Sequence, residues 1–519
     1  MTAPCLLESD VRGKRFVSLS LAVTTTLSLV LIIANFQRWN FDGIWYESSL
    51  ADLFPNAQLL ENTLAVFGFP TSKRALFEAA SSFVAYGLGF LQVTKILILN
   101  RKDILFNLIE NATSSIKEPS GYGAPKPRRS VRTRFFASIA TFFCLAMLSA
   151  SLWLGAMKPS SSTIVVKDTI GVPSYSNMTF IKEYPLSQPG PSSTTKNGIF
   201  SYSVATTFLN GLVASGSSLS DLPDGVIRKH PKLDNTQFSF EGRSYGVGSS
   251  VGILDDALKK LPSARTYSFH EVGYMTYVDC QYNRSMDFHI ASEYPHRTFA
   301  VTGFFPDSVG SAQWSEYIGQ DSSSIVAMGV ADSPESPRRY ISIAAGEKYK
   351  ALNATQCTID FTPVLFQVSV NIRDKSIKVK PLRRVDDFEP TRVLARTTVR
   401  QFDLVSNSLM SFHGSVLGDA FLASVAAWNS SMNRLGLNPE ADSTLLGVQH
   451  SITSMADSIL SAYGAAQLVV GNFSQSTTAE VEVDVFVVGN RACVYAVAIQ
   501  NFWILLLFIR FAMKSRKAH

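Results

Sequence analysis

The chain has 519 residues, 46% of them hydrophobic, with a net charge of +6. That length exceeds one ordinary domain, and the mean hydropathy of +0.12 is high for a soluble protein yet low for a chain that is mostly membrane. No basic stripe interleaves with aromatics, which argues against a nucleic-acid partner; residues 158–488 carry 27 Lys and Arg against 31 Asp and Glu, leaving +10 for the remainder.

Taken in chain order, residues 1–15 end in Arg12, Lys14 and Arg15. The uncharged run 16–35 is long enough to cross a hydrocarbon core of about 30 Å. Its rival reading is a cleavable signal peptide, but the run exceeds a typical h-region and no clear A-x-A site follows. Residues 36–78 form a loop, and 79–99 a second span that contains Lys95, expected to snorkel towards Arg101 and Lys102. The alternative for 79–99 is a buried or interfacial amphipathic helix. The loop 100–134 is strongly basic, and its apolar stripe Ile104, Leu105, Leu108 and Ile109 suggests a helix lying along the inner surface. Residues 135–157 are a third span, 489–513 a fourth, and 514–519 a basic tail. With the basic clusters in the cytosol, the positive-inside rule predicts both termini inside and 36–78 and 158–488 outside, at the plasma membrane or in the secretory pathway. Arg38, Lys73 and Arg74 then fall on the wrong side.

The large segment 158–488 carries N-x-S/T sequons at Asn177, Asn283, Asn353, Asn429 and Asn472, and another at Asn111 falls in the cytosolic loop. Cys280 and Cys357 are its only cysteines, and an oxidising compartment would join them. Residues 160–388 read as strands, among them Tyr274–Asp279, Thr298–Phe305, Ile325–Val330 and Tyr340–Ala344. The clearest pattern is a hairpin in Ala351–Pro381, where Phe366, Val368 and Val370 alternate with polar residues and Asn371–Lys375 supply the turn. Residues 389–465 have helical spacing and predict two helices, Val399–Asn433 and 442–465. A strand at Ala479–Val488 leads into the fourth span. The fold class expected is α+β, a large β-rich domain followed by two helices, carried on about four transmembrane helices.

Three blocks, YVDCQYNRS (277–285), CTIDFTPVLFQVSVNIRDKSIKVKP (357–381) and the closing VVGNRACVYAVAIQNFWILLLFIRFAMKSR with Asn501, resemble a group of uncharacterised integral membrane proteins of filamentous fungi. The likeness covers about a third of the chain, and the exit at Phe508–Lys514 departs from it. The resemblance implies a fungal membrane protein with one outer disulfide, and it supplies no activity.

Candidate chemistry is sparse. Gly248-Ser249-Ser250-Val251-Gly252 matches the G-x-S-x-G nucleophile elbow, with a strand expected at Arg243–Val247 and a helix at Ile253–Lys260. Asp279, Asp287, His289 and His296 are the residues available to complete a triad with Ser250. Against that stand the missing oxyanion segment and the absence of alternating β/α order. His270-Glu271 opens an H-E-x-x-H zinc motif that fails at Tyr274. Asp255-Asp256 and Asp386-Asp387 read as solvated loops, and no cofactor motif is present. The function expected is non-enzymatic binding, sensing or assembly by a glycosylated outer domain. Its partners would be the lipid bilayer and other membrane or cell-wall components. The alternatives are a membrane-anchored serine hydrolase and a transporter or channel subunit.

Overall fold

The computed structural model describes residues 4–42, 73–99, 129–178, 181, 209–218, 222–234, 236–253, 263–294, 298–308, 313–318, 321–331, 335–386, 388–389, 391–408, 410–411, 414–437 and 443–517. The chain divides into two compact units, one of Met1–Ile164 with Asp484–His519 and one of Val165–Val483. Most of the loops 36–78 and 100–134 lies outside the described residues.

The first unit is built on four long helices, α1 (Pro4–Phe36), α2 (Lys73–Leu99), α3 (Arg129–Met157) and, from the far end of the chain, α8 (Arg491–Lys517). Each contains a stretch long and apolar enough to cross a membrane. None has an interior proline, and the hydroxyls of Ser20, Thr24, Thr25 and Ser28 bond back to carbonyls three or four residues earlier in α1. Such back-bonding satisfies polar groups inside an apolar helix. Leu31, Leu88, Trp153, Val494 and Val497 pack together, while Leu19, Phe83, Leu148, Phe502 and Trp503 point outward. At Gly89 an added Cβ would lie 2.7 Å from Ala150, so α2 and α3 meet through small residues, as helices do in lipid. A short strand, β1 (Asn40–Asp42), pairs antiparallel with residues 485–487.

One expectation here is corrected. Lys95 does not snorkel: it is fully buried, its Nζ donating to Ser20 O at 3.0 Å and Thr24 Oγ1 at 2.7 Å on α1. Its position on α2 faces the neighbouring helix, where two oxygens replace the water it would otherwise seek.

The second unit is a large mixed sheet packed with helices. Its spine is β5 (Ala264–Tyr282) against β11 (Thr355–Asn371), antiparallel and in continuous register from Tyr282↔Thr355 to Thr266↔Asn371. The expected hairpin forms: β12 (Ser376–Arg384) returns along β11, with Asn371 Oδ1 accepting from the amides of Arg373 and Asp374 in the turn. Strands β9 (Val326–Gly329) and β10 (Tyr340–Ala345) extend the sheet from the start of β11. On the other side β15 (Ser474–Val488) pairs with β5 and with β2 (Pro159–Pro173). The short strands β3 (Lys229–Pro231) and β4 (Ser239–Glu241) sit beside β12. A separate antiparallel sheet contains β6 (His289–Tyr294), β7 (Thr298–Gly303) and β8 (Gln313–Ile318).

The core changes face along β5. Tyr267, Phe269 and Glu271 are buried on one face, and Tyr274, Val278 and Cys280 on the other. Strand side chains alternate, so the crossover falls at Gly273–Tyr274.

The helical segment differs from expectation. Among the described residues it holds three helices rather than two: α5 (Val393–Ser408), α6 (Val416–Arg434) and α7 (Ser443–Val469). The break lies in a tiny hairpin, β13 (Met410–Ser411) with β14 (Gly414–Ser415). There Ser415 Oγ accepts from Gly418 N and caps α6. The phenol of Tyr349 accepts from Ser415 N at 3.0 Å and donates to Asp419 Oδ1 at 2.8 Å. A cap with a tertiary partner outcompetes continuation of an apolar periodicity. A fourth helix, α4 (Leu209–Ser218), was not expected. It is poor in helix formers and is held by packing on α7, where Ser215 Oγ lies 2.9 Å from Ser458 Oγ.

Candidate functional site

The G-x-S-x-G segment is a glycine turn, and the turn itself explains its glycines. Gly248 and Gly252 have φ of +79° and +78°, a left-handed conformation that L side chains rarely adopt. No strand forms over Arg243–Val247, where Tyr245 and Gly246 also have positive φ. The expected helix falls, from residue 254, outside the described residues. Ser250 is fully buried and its Oγ has no hydrogen-bond partner among the described residues. A nucleophile needs a base within hydrogen-bond reach and access for substrate. Asp279, Asp287 and His289 are exposed, His289 Nδ1 lying 2.7 Å from Asp287 O; His296 lies outside the described residues.

The neighbouring Ser249 has the partner that Ser250 lacks. Its Oγ donates to Glu271 Oε1 at 2.7 Å, and Gly248 N donates to Oε2 at 2.8 Å. From the other side Lys232 Nζ donates to Val251 O at 2.8 Å and Ser249 O at 3.2 Å, and pairs with Asp234. Burial pushes the Glu271 carboxyl up to about 7, against the opposing pull of Ser249, Gly248 and Lys232. His230, stacked on Phe240 at 5.4 Å, is pushed down to about 4 by burial. Since Ser249 and Ser250 have no exposed surface, this constellation acts as a clamp that fastens the turn to β5. The sequence singles out Glu271 only within the failed zinc motif and gives no sign of Lys232, although Glu271 shares the inward parity of Tyr267 and Phe269.

Cys280 and Cys357 form a disulfide between directly opposed residues of β5 and β11, Cα to Cα 4.0 Å, and both are buried. The bridge closes a separation of 77 residues. Replacing both cysteines by serine is expected to lower stability by about 4 kcal/mol on the chain-entropy estimate, read as the shift in urea midpoint of the detergent-solubilised protein. Of the sequon asparagines, Asn177, Asn353 and Asn472 are exposed and Asn283 and Asn429 half-buried. Asn111 lies outside the described residues.

Within the helical unit polar side chains join all four long helices. Besides the Lys95 bonds to α1, Gln92 Nε2 donates to Asn501 Oδ1 at 2.6 Å and Asn501 Nδ2 to Thr24 O at 3.3 Å. Gln500 Nε2 adds a bond to Ser149 Oγ on α3 at 2.9 Å. Among the described residues no carboxylate contacts Lys95 Nζ. Ionisable groups inside apolar helices are costly and mark function or packing specificity. Thr24→Val, which strips the ammonium of one oxygen, is expected to destabilise the bundle by about 1–3 kcal/mol. Lys95→Met, which removes the charge at similar volume, is expected to be neutral or stabilising. Thermal unfolding in detergent distinguishes the two responses.

Comparison with family models, with curated proteins and with solved structures finds no match.

Proposed function

We propose that this chain is an integral membrane protein with both termini in the cytosol, holding its α+β unit on the extracellular or lumenal side to bind or assemble with a partner. The observation that carries the reading is a disulfide in one unit of a chain whose other unit gathers four membrane-length apolar helices. Disulfides persist in oxidising compartments and are rare in the cytosol. Basic clusters at 12–15, 101–134 and 514–517 support the same orientation, as do three exposed sequon asparagines. Binding is preferred to catalysis because the one nucleophile pattern is a buried turn.

The test is glycan mapping on microsomes, with labelling of Cys5 from outside. Deglycosidase-sensitive mobility that disappears when Asn177, Asn353 and Asn472 are replaced together by Gln, with Cys5 protected, is the expected result. A bare chain with Cys5 labelled would invert the topology. A serine-directed fluorophosphonate should leave the folded protein unmarked, and labelling lost in Ser250→Ala would restore the hydrolase. The Lys95 cluster favours one second reading, a transporter subunit; solute flux in vesicles that Lys95→Ala abolishes would establish it.

A further inference from the structure

The four apolar stretches end together. Val17–Phe36 and Ile139–Met157 finish, and Lys73–Leu99 and Arg491–Arg510 begin, at one end of the helical unit. Asn35 Nδ2 ties that end together by donating to Val488 O and Gly489 O, at 3.2 and 3.1 Å. Trp39, half exposed just beyond α1, is the residue type that settles at a membrane–water interface. The end is also basic, with Arg38, Lys73, Arg74, Lys158 and Arg491. These charges oppose the positive-inside rule in the orientation proposed above, so topology does not account for them.

An open cleft of about 560 Å³ lies at this end, within the roughly 300–1,000 Å³ range of small-molecule sites. Arg74 and Glu78 from the first turns of α2, Lys158 just past α3, Ser160, Ser161 and Asn490 line it. Its charges are of both signs and half exposed. Glu78 Oε1 lies 3.3 Å from Arg74 Nε and 3.5 Å from Lys158 Nζ, leaving Oε2 without a partner among the described residues. Asn490 Oδ1 accepts from Ala492 N and starts α8, so the amide of its side chain is available as a donor. The cleft thus offers two cations and several hydrogen-bond donors beside one carboxylate oxygen, at the level where the apolar helices stop.

We propose that this cleft holds the headgroup of a zwitterionic phospholipid. The phosphate sits against Arg74 and Lys158, with Ser160, Ser161 and Asn490 as further donors, and the ammonium of the headgroup meets Glu78 Oε2. A phosphate alone would leave the carboxylate repelling it, whereas a phosphate with a tethered ammonium uses both signs. The proposal rests on the helical unit spanning a bilayer. A chain stripped from membranes by alkaline carbonate would sink that membrane reading itself, while a chain that needs detergent but holds no lipid sinks only the cleft.

The experiment is native mass spectrometry of the full chain purified in detergent, titrated with phosphatidylethanolamine, phosphatidylglycerol or inorganic phosphate. Wild type is expected to retain phosphatidylethanolamine in preference to the other two. Arg74→Ala with Lys158→Ala should lose about tenfold or more in retention. Glu78→Gln should reverse the preference towards phosphatidylglycerol, a change that simple unfolding would not produce. Equal retention of both lipids by wild type, or a preference unmoved by Glu78→Gln, overturns the proposal; so does binding of inorganic phosphate as tight as that of lipid.

Discussion

Asp457→Ala is expected to cost the α+β unit about 2–4 kcal/mol, because it removes the carboxylate partner of a guanidinium that is only 13% exposed. Asp457, on α7, is almost fully buried, and its carboxylate holds Arg243 through Nε at 2.6 Å and Nη2 at 3.3 Å. Nη2 also donates to Thr276 O, and the guanidinium lies 4.5 Å above the Tyr245 ring, which stacks in turn on Phe366. One cation therefore joins α7, the glycine turn and β5 close to where the core changes face. A bidentate pair fixes both distance and angle, so its loss should loosen the crossover as a whole. Arg243→Met combined with Asp457→Leu removes both charges and is expected to cost less than Asp457→Ala alone. Urea unfolding of the solubilised chain, followed by near-ultraviolet circular dichroism, reads both variants. A single-variant loss below about 1 kcal/mol would mean that water reaches and solvates the abandoned Arg243.

What the sequence made legible follows from the range over which each signal acts. Four apolar runs announce four helices because hydropathy over about twenty residues is a local property. The β11–β12 hairpin is equally local, with its alternation and turn residues adjacent in the chain. The break in the helical region was hidden because the cap at Ser415 depends on Tyr349, which lies 66 residues away. Helix α4 was hidden for the same reason, its support coming from α7. At the turn, the pattern drew attention to Ser250, whereas the folded partners belong to Ser249. Which serine meets Glu271 is decided by a positive-φ glycine and by β5, neither visible in a five-residue motif. Glu271 itself carried a readable signal, a carboxylate at an inward position of an alternating strand. Lys95 was visible as a charge in an apolar run, but only packing against Ser20 and Thr24 determines which way it points.

The clamp gives the α+β unit a pH dependence with a definite sign. Glu271 titrates near 7 when folded against an ordinary value of 4.5, so the folded chain holds its proton more tightly than the unfolded one. Its contribution is therefore greatest below pH 4.5 and falls as pH rises to about 7, by on the order of 3 kcal/mol in all. His230 works in the opposite direction. Its folded value near 4 against 6.5 means that stability rises with pH between about 4 and 6.5 as the unfolded histidine ceases to gain a proton. The two windows overlap from 4.5 to 6.5, so the native protein is expected to show little net slope there from this pair. Glu241, held down to about 2 by Lys229 and Lys378, acts only below pH 4.5, where its contribution is lost with acid. Glu271→Gln keeps a neutral group that can accept from Gly248 N and donate to Ser249 Oγ, and so mimics the protonated clamp. The variant should uncover the His230 slope, gaining stability from pH 4.5 to 6.5, while Glu271→Gln with His230→Phe should be flat again. Urea midpoints at half-unit pH steps measure this. A slope unchanged by Glu271→Gln would show that the buried carboxyl keeps its ordinary acidity, and that Lys232, through Ser249 O and Val251 O, stabilises its charge more strongly than burial opposes it.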